Sequence, residues 1–230
     1  MPVKDVLEKY DGRRKPGKPR EPHANPLLDT RYIRRKWLDV PYAVGCPRAL
    51  MDIYLPNDGE GPFPVIMFAH GGGFYAGTKN DYETYPPLEG LKRGYAVCAI
   101  NYTLSGEAIF PRQVQEGKAA LRFIRAKAAH YNLDPSCVIG WGMSAGANLV
   151  AMLATTGHEH AEGLEDDAMG NAGYPVHLDA CMIWFCPTDF LKMDAQLAES
   201  GLAPAPGEEH NGPRSPESLL LGQPITDAPE

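Results

Sequence analysis

The pentapeptide Gly142-Met143-Ser144-Ala145-Gly146 constrains this chain more than any other stretch. It joins an apolar run at 137–141 directly to an alanine-rich segment at 144–155 whose apolar residues recur at helical spacing. A serine at such a junction needs a turn too tight for ordinary side chains, and glycines two positions to either side let strand and helix pass without a clash. The serine then occupies strained backbone, with its hydroxyl projecting above the sheet. A Gly-x-Ser-x-Gly string alone arises often by chance, so its weight comes from these flanks.

A second glycine cluster, His70-Gly71-Gly72-Gly73, follows another apolar run, Phe63–Ala69. Amides freed of side chains at that point can aim at a developing oxyanion, although an ordinary turn would use the same residues. His70 stands at the strand end and precedes Ser144, whereas the base of such an arrangement follows its nucleophile. It is read as a structural anchor of the turn.

The remaining pattern supplies the frame. Residues 34–42 and 49–55 have the β-branched and aromatic content of strands closed by proline turns, and together suggest an opening hairpin. Runs at 95–100, 137–141 and 180–186 resemble 63–69 and read as strands buried on both faces. Helical spacing occupies 113–130 and 144–155, with Asp134-Pro135 punctuating the exit of the first helix. Strands alternating with helices predict an α/β fold, a mainly parallel sheet with helices on both faces. Residues 157–174 and 194–230 read as loops, apart from a short helix ending at Leu221-Gly222.

Length allows one large core, placed here at residues 31–230, with 1–30 as a flexible arm because 9–26 is basic, proline-rich and nearly free of large apolar groups. A net charge of -7 weighs against nucleic acid or an anionic membrane as partner, and no apolar stretch is long enough for a membrane span or a signal sequence. A cytoplasmic setting follows as the expectation. Of five cysteines, Cys98, Cys181 and Cys186 lie in apolar runs, where a reduced thiol acts as a small hydrophobe; no disulfide framework or metal-ligand spacing is visible.

These motifs, with Trp37-Leu38-Asp39-Val40-Pro41-Tyr42, Met51-Asp52-Ile53-Tyr54-Leu55-Pro56, Gly94-Tyr95-Ala96-Val97, Asn101-Tyr102-Thr103-Leu104-Ser105-Gly106-Glu107-Ala108, Phe110-Pro111 and Pro187-Thr188-Asp189-Phe190, resemble the hormone-sensitive-lipase-like carboxylesterases of the α/β-hydrolase superfamily. Within them the resemblance is to a bacterial acetyl-xylan and feruloyl esterase-like branch. It implies an eight-stranded sheet and a serine esterase acting on small acyl esters, often acetylated or feruloylated carbohydrate, with no cofactor and no metal. Ser144 takes the nucleophile's place, and the backbone amides of Gly72, Gly73 and Ala145 take that of the oxyanion hole.

The sequence departs from that pattern in three places. Thr103 stands where the group more often has arginine, and Ala147-Asn148 replaces the commoner glycine-histidine, which puts local packing in question. The two further strands that would deliver the acid and histidine of a serine, acid, histidine order are not found before Glu230, so the domain reads as C-terminally incomplete. The strand at 180–186 would then form an apolar edge open to aggregation or to pairing with another chain.

Asp189 and His210 are candidate substitutes, although Asp189 fits better as a turn brace. His158, His160 and His177 fit solvated loops. Two alternatives to an ester hydrolase stay open: a catalytically incomplete hydrolase-fold remnant that only binds, and a serine peptidase of the same superfamily.

Overall fold

The computed structural model describes residues 28–158, 161–204, 207 and 209–228 of the 230. Residues 1–27 of the expected arm and His160 lie outside the described residues. Leu28 is not part of a free arm: its N–H donates to the Asn80 carbonyl at 3.0 Å, and its side chain packs on the core. The body therefore begins before Arg31, because a single apolar residue found a backbone and side-chain partner there.

Six strands form one sheet: β1 (Lys36–Pro41), β2 (Leu50–Tyr54), β3 (Phe63–Ala69), β4 (Ala96–Ile100), β5 (Leu133–Met143) and β6 (Ala180–Trp184), in the order β1-β2-β4-β3-β5-β6. The opening hairpin is present, since β1 and β2 pair antiparallel, and β2 pairs antiparallel with β4. Strands β4, β3, β5 and β6 run parallel, so the sheet is mainly parallel as expected, with six strands among the described residues where eight were implied.

The continuous apolar runs of β3 and β4 follow from burial on both faces. Val65 and Met67, with Cys98 and Ile100, join one cluster under α2 (Arg112–Ala126) and α4 (Ala145–Thr156). Their alternates Ile66 and Phe68, with Val97 and Ala99, join a second cluster that includes Leu88 of α1 (Tyr85–Leu88). Helical turns from Tyr82 to Arg93 cover this second face; no helical period announces them, because two prolines interrupt it.

Four expectations are corrected. The first helix does not run unbroken to 130: it ends at Ala126, and a separate turn, α3 (Ala128–Tyr131), closes on Asn132 at φ 57°. Asp134-Pro135 does not mark a helix exit but lies inside β5, whose ladder with β3 shifts register between Pro64 and Val65 to accommodate it.

The strand at 180–186 is not buried. All five residues of β6 are exposed, Met182, Ile183 and Trp184 at 42%, 41% and 39%, because among the described residues β6 pairs only with β5 and forms the apolar edge that the sequence also allowed; Cys181 is exposed with it, while Cys98 is fully buried. Finally, the segment from 194 is not all loop: α5 (Met193–Glu199) and α6 (Pro216–Leu221) interrupt it, the second capped by the Ser215 hydroxyl accepting from Ser218 N–H and ended by Gly222 at φ 70°.

Candidate active site

Ser144 sits between β5 and α4 with φ 52° and ψ −118°, outside the regions ordinary residues occupy. The glycines around it are required by contact. A Cβ on Gly142 would lie 2.1 Å from the Gly146 carbonyl oxygen, and one on Gly146 would lie 2.1 Å from that of Ala69. The backbone of the turn is held by Ser144 N–H donating to the Trp184 carbonyl at 3.0 Å, while the Ser144 hydroxyl hydrogen-bonds to no described residue.

The glycine loop after β3 is arranged for its amides. A Cβ on Gly72, at φ 107°, would collide with the Ala76 carbonyl at 2.2 Å, so the tight turn excludes any side chain there. Gly71 N–H is already committed to Glu83 Oε2 at 2.6 Å, whereas the Gly72 and Gly73 amides have no acceptor among the described residues. Ala145 opens α4, where a first-turn amide lacks an intrahelical acceptor. The three amides singled out in the sequence, of Gly72, Gly73 and Ala145, thus have no acceptor among the described residues.

Residues that the motif did not announce brace this loop. Arg48 donates to the Gly77 carbonyl at 2.7 Å, the Tyr102 hydroxyl to the His70 carbonyl at 2.8 Å, and buried Lys79 pairs with Asp52 at 2.8 Å and with Asp39 at 2.7 Å. They come from distant elements, so no local pattern flags them. Burial pushes the Glu83 carboxyl upward, and the Gly71 N–H partly offsets this by favouring the ionised form.

His70 is fully buried, stacked on Tyr102 with ring centroids 4.4 Å apart, and its Nδ1 lies 2.7 Å from the Gly71 carbonyl. Burial pushes its pKa down to about 4, so the ring is neutral and faces the turn. The two departures from the family pattern are also accommodated. Thr103 gives both its N–H and its hydroxyl to the buried Glu116 carboxylate at 2.6 Å, and the Asn148 amide donates to the Pro187 carbonyl at 2.9 Å.

Ser144, Gly73, Phe185, Asp189, His210 and Glu217 line one cavity of about 480 Å³. Three non-glycine residues on its wall, Phe74, Ser144 and Phe185, have positive φ, a concentration of backbone strain characteristic of functional sites. The candidate acid Asp189 does not reach His210. It pairs with Lys192 Nζ at 2.7 Å across a short turn, and that hydrogen bond pulls its carboxyl below the usual range.

His210 instead has Nδ1 3.1 Å from Glu217 Oε1, a residue the sequence reading passed over because it sits in an unremarkable first helical turn. His158 and His177 stack on each other with centroids 5.5 Å apart, and neither lines this cavity.

A mainly parallel sheet with helices on both faces, and a serine on a left-handed turn from strand to helix, define an α/β-hydrolase. Within that superfamily the chain belongs to the BD-FAE family, whose model matches residues 51–230. It is similar to the carboxylesterase NlhH of Mycobacterium tuberculosis, 29% identical over 102 residues that cover 44% of this chain and 32% of that protein. The esterase LipQ of the same organism is 30% identical over 126 residues, 54% of this chain and 30% of its own length. The chain thus spans less than a third of the length of each of these two relatives, 32% and 30%.

Among solved structures, a truncated form of a carbohydrate esterase from gut microbiota superposes with a TM-score of 0.72 at 29% identity, covering 87% of this chain and 70% of that one. A bifunctional GH43-CE protein of Bacteroides eggerthii gives 0.71 at 31%, covering 84% and 27%.

Proposed function

We propose that the chain carries the nucleophile and oxyanion hole of a serine ester hydrolase acting on short-chain acyl esters, including acetylated carbohydrate. Ser144 attacks the ester carbonyl, the amides of Gly72, Gly73 and Ala145 receive the oxyanion, and water hydrolyses the resulting acyl-enzyme. The observation that carries this reading is Ser144 at φ 52°, on the wall of a cavity beside amides that have no acceptor among the described residues. The carbohydrate esterase among the structural neighbours supports the substrate class. No helix of the described residues is long and apolar enough to cross a membrane, and five unpaired cysteines support a reducing, cytoplasmic setting.

The test is hydrolysis of p-nitrophenyl acetate together with labelling by a fluorophosphonate. Ser144→Ala is expected to abolish labelling and to lower turnover by about a thousandfold or more. Labelling that persists in Ser144→Ala would refute the assignment. A binding-only hydrolase fold is the second reading, favoured by the Ser144 hydroxyl having no hydrogen-bond partner among the described residues; folded protein that neither labels nor turns over would select it.

A further inference from the structure

We infer that a second cavity, next to the one Ser144 lines, binds a small apolar compound with a single hydroxyl donor, of the class of phenol or cyclohexanol. It measures about 210 Å³, and its wall includes Phe74, Phe110, Gln113, Met152, Phe190 and Leu220, drawn in part from α2, α4 and α6. An apolar cavity of about 150 Å³ stays dry and admits benzene, so this volume suits one ring with a substituent. Phe74 and Phe190 line both cavities, which makes the two spaces neighbours.

Gln113 supplies the polar element. It is 1% exposed, and its Nε2 donates to the Thr103 carbonyl at 3.0 Å and to the Ala108 carbonyl at 2.8 Å. Those two acceptors fix the orientation of the amide, since the flipped form would set its oxygen against two carbonyls. Oε1 is left without a partner among the described residues. A buried acceptor lacking a donor is costly, and a ligand hydroxyl removes that cost.

Water suits the space poorly. A buried water makes about three hydrogen bonds. The described wall holds two polar side chains, Gln113 and Asn148, and the Asn148 amide already donates to the Pro187 carbonyl at 2.9 Å. An apolar body with one donor matches both the aromatic and aliphatic lining and the single open acceptor.

The site is tied to the serine turn and the glycine loop through the backbone. Asn148 N–H donates to the Ser144 carbonyl at 3.0 Å, Phe74 follows Gly73 directly, and Phe110 N–H donates to the Leu220 carbonyl at 2.8 Å, fastening α6 to the segment before α2. The hydroxylated group that enters has two sources, a portion of an ester substrate or a free alcohol, and kinetics separates them.

The experiment is calorimetric titration of the full chain with phenol and with anisole, which has the same ring but no donor, and titration of Met152→Trp with phenol. Phenol is expected to bind with a Kd below about 1 mM, and anisole about fivefold more weakly. Met152→Trp places a ring in the cavity and is expected to weaken phenol binding about tenfold or more, thermal melting confirming that the variant is folded. Leu221→Trp, also on the wall, takes its place if Met152→Trp does not fold.

Absence of phenol binding up to about 10 mM, equal affinity for phenol and anisole, or unchanged affinity in the folded tryptophan variant would each overturn the proposal. Phenol that raises KM for p-nitrophenyl acetate without changing kcat supports the site as a substrate pocket, whereas binding that leaves both constants unchanged supports it as a site for a free alcohol. The titration reads binding whether or not the chain hydrolyses an ester, so its failure and the failure of the Ser144 assignment are distinguishable.

Discussion

Strands β3 and β6 are built from nearly the same kind of residues, Phe-Pro-Val-Ile-Met-Phe-Ala and Ala-Cys-Met-Ile-Trp, and both run parallel to β5. One is the buried axis of the molecule; the other is exposed along its whole length. Composition therefore records what a strand can tolerate, and the neighbours decide what it experiences. β3 has a partner on each side and apolar layers on both faces, whereas β6 has one partner among the described residues and presents Met182, Ile183 and Trp184 to solvent.

Substituting the two strands alike breaks the comparison most sharply. Met67→Asp puts an unpaired charge at a site with no exposure and is expected to cost more than about 4 kcal/mol, enough to unfold the chain, while Ile183→Asp costs less than about 1 kcal/mol; urea denaturation of each variant is the measurement. Equal losses at the two positions would mean that β6 is covered in solution.

The ends of the strands sharpen the contrast through pH. β3 is followed directly by His70, whose pKa burial holds at about 4 against an unfolded value of about 6.5, so the unfolded chain binds the extra proton between those limits. Stability from this group is complete above pH 6.5 and falls as the pH drops towards 4, by up to about 3 kcal/mol. His70→Gln is expected to flatten that part of the profile, read as the urea midpoint at pH 7 against pH 4.5, and an unchanged slope would remove His70 as its source.

The smallest effect concerns the edge itself. If the free side of β6 pairs with another chain, Ile183→Asp lowers self-association seen by light scattering while leaving the melting temperature within a few degrees.

The candidate site was legible where the chemistry is local. Ser144 and the glycines beside it are contiguous in sequence, and their geometry follows from steric exclusion that any reader of the chain can apply: Gly142, Gly146 and Gly72 stand where a Cβ would strike a carbonyl. Glu217 was not legible, because its relation to His210 depends on how α6 folds back over the oxyanion loop. Asp189 was legible as a turn brace, since its partner Lys192 lies only three residues away; the alternative that joined it to His210 finds no hydrogen bond between the two.

The sequence by itself determined the α/β alternation, the strained serine turn and the glycine loop, since each rests on short-range sterics and on the periodicity of apolar residues. Only the tertiary structure decided that Arg48, Lys79, Glu83 and Tyr102 brace the glycine loop, and that His210 meets Glu217 on the wall of the cavity that Ser144 lines. Burial, ion pairing and hydrogen bonding between residues far apart in the chain depend on which elements become neighbours, and no local pattern carries that information.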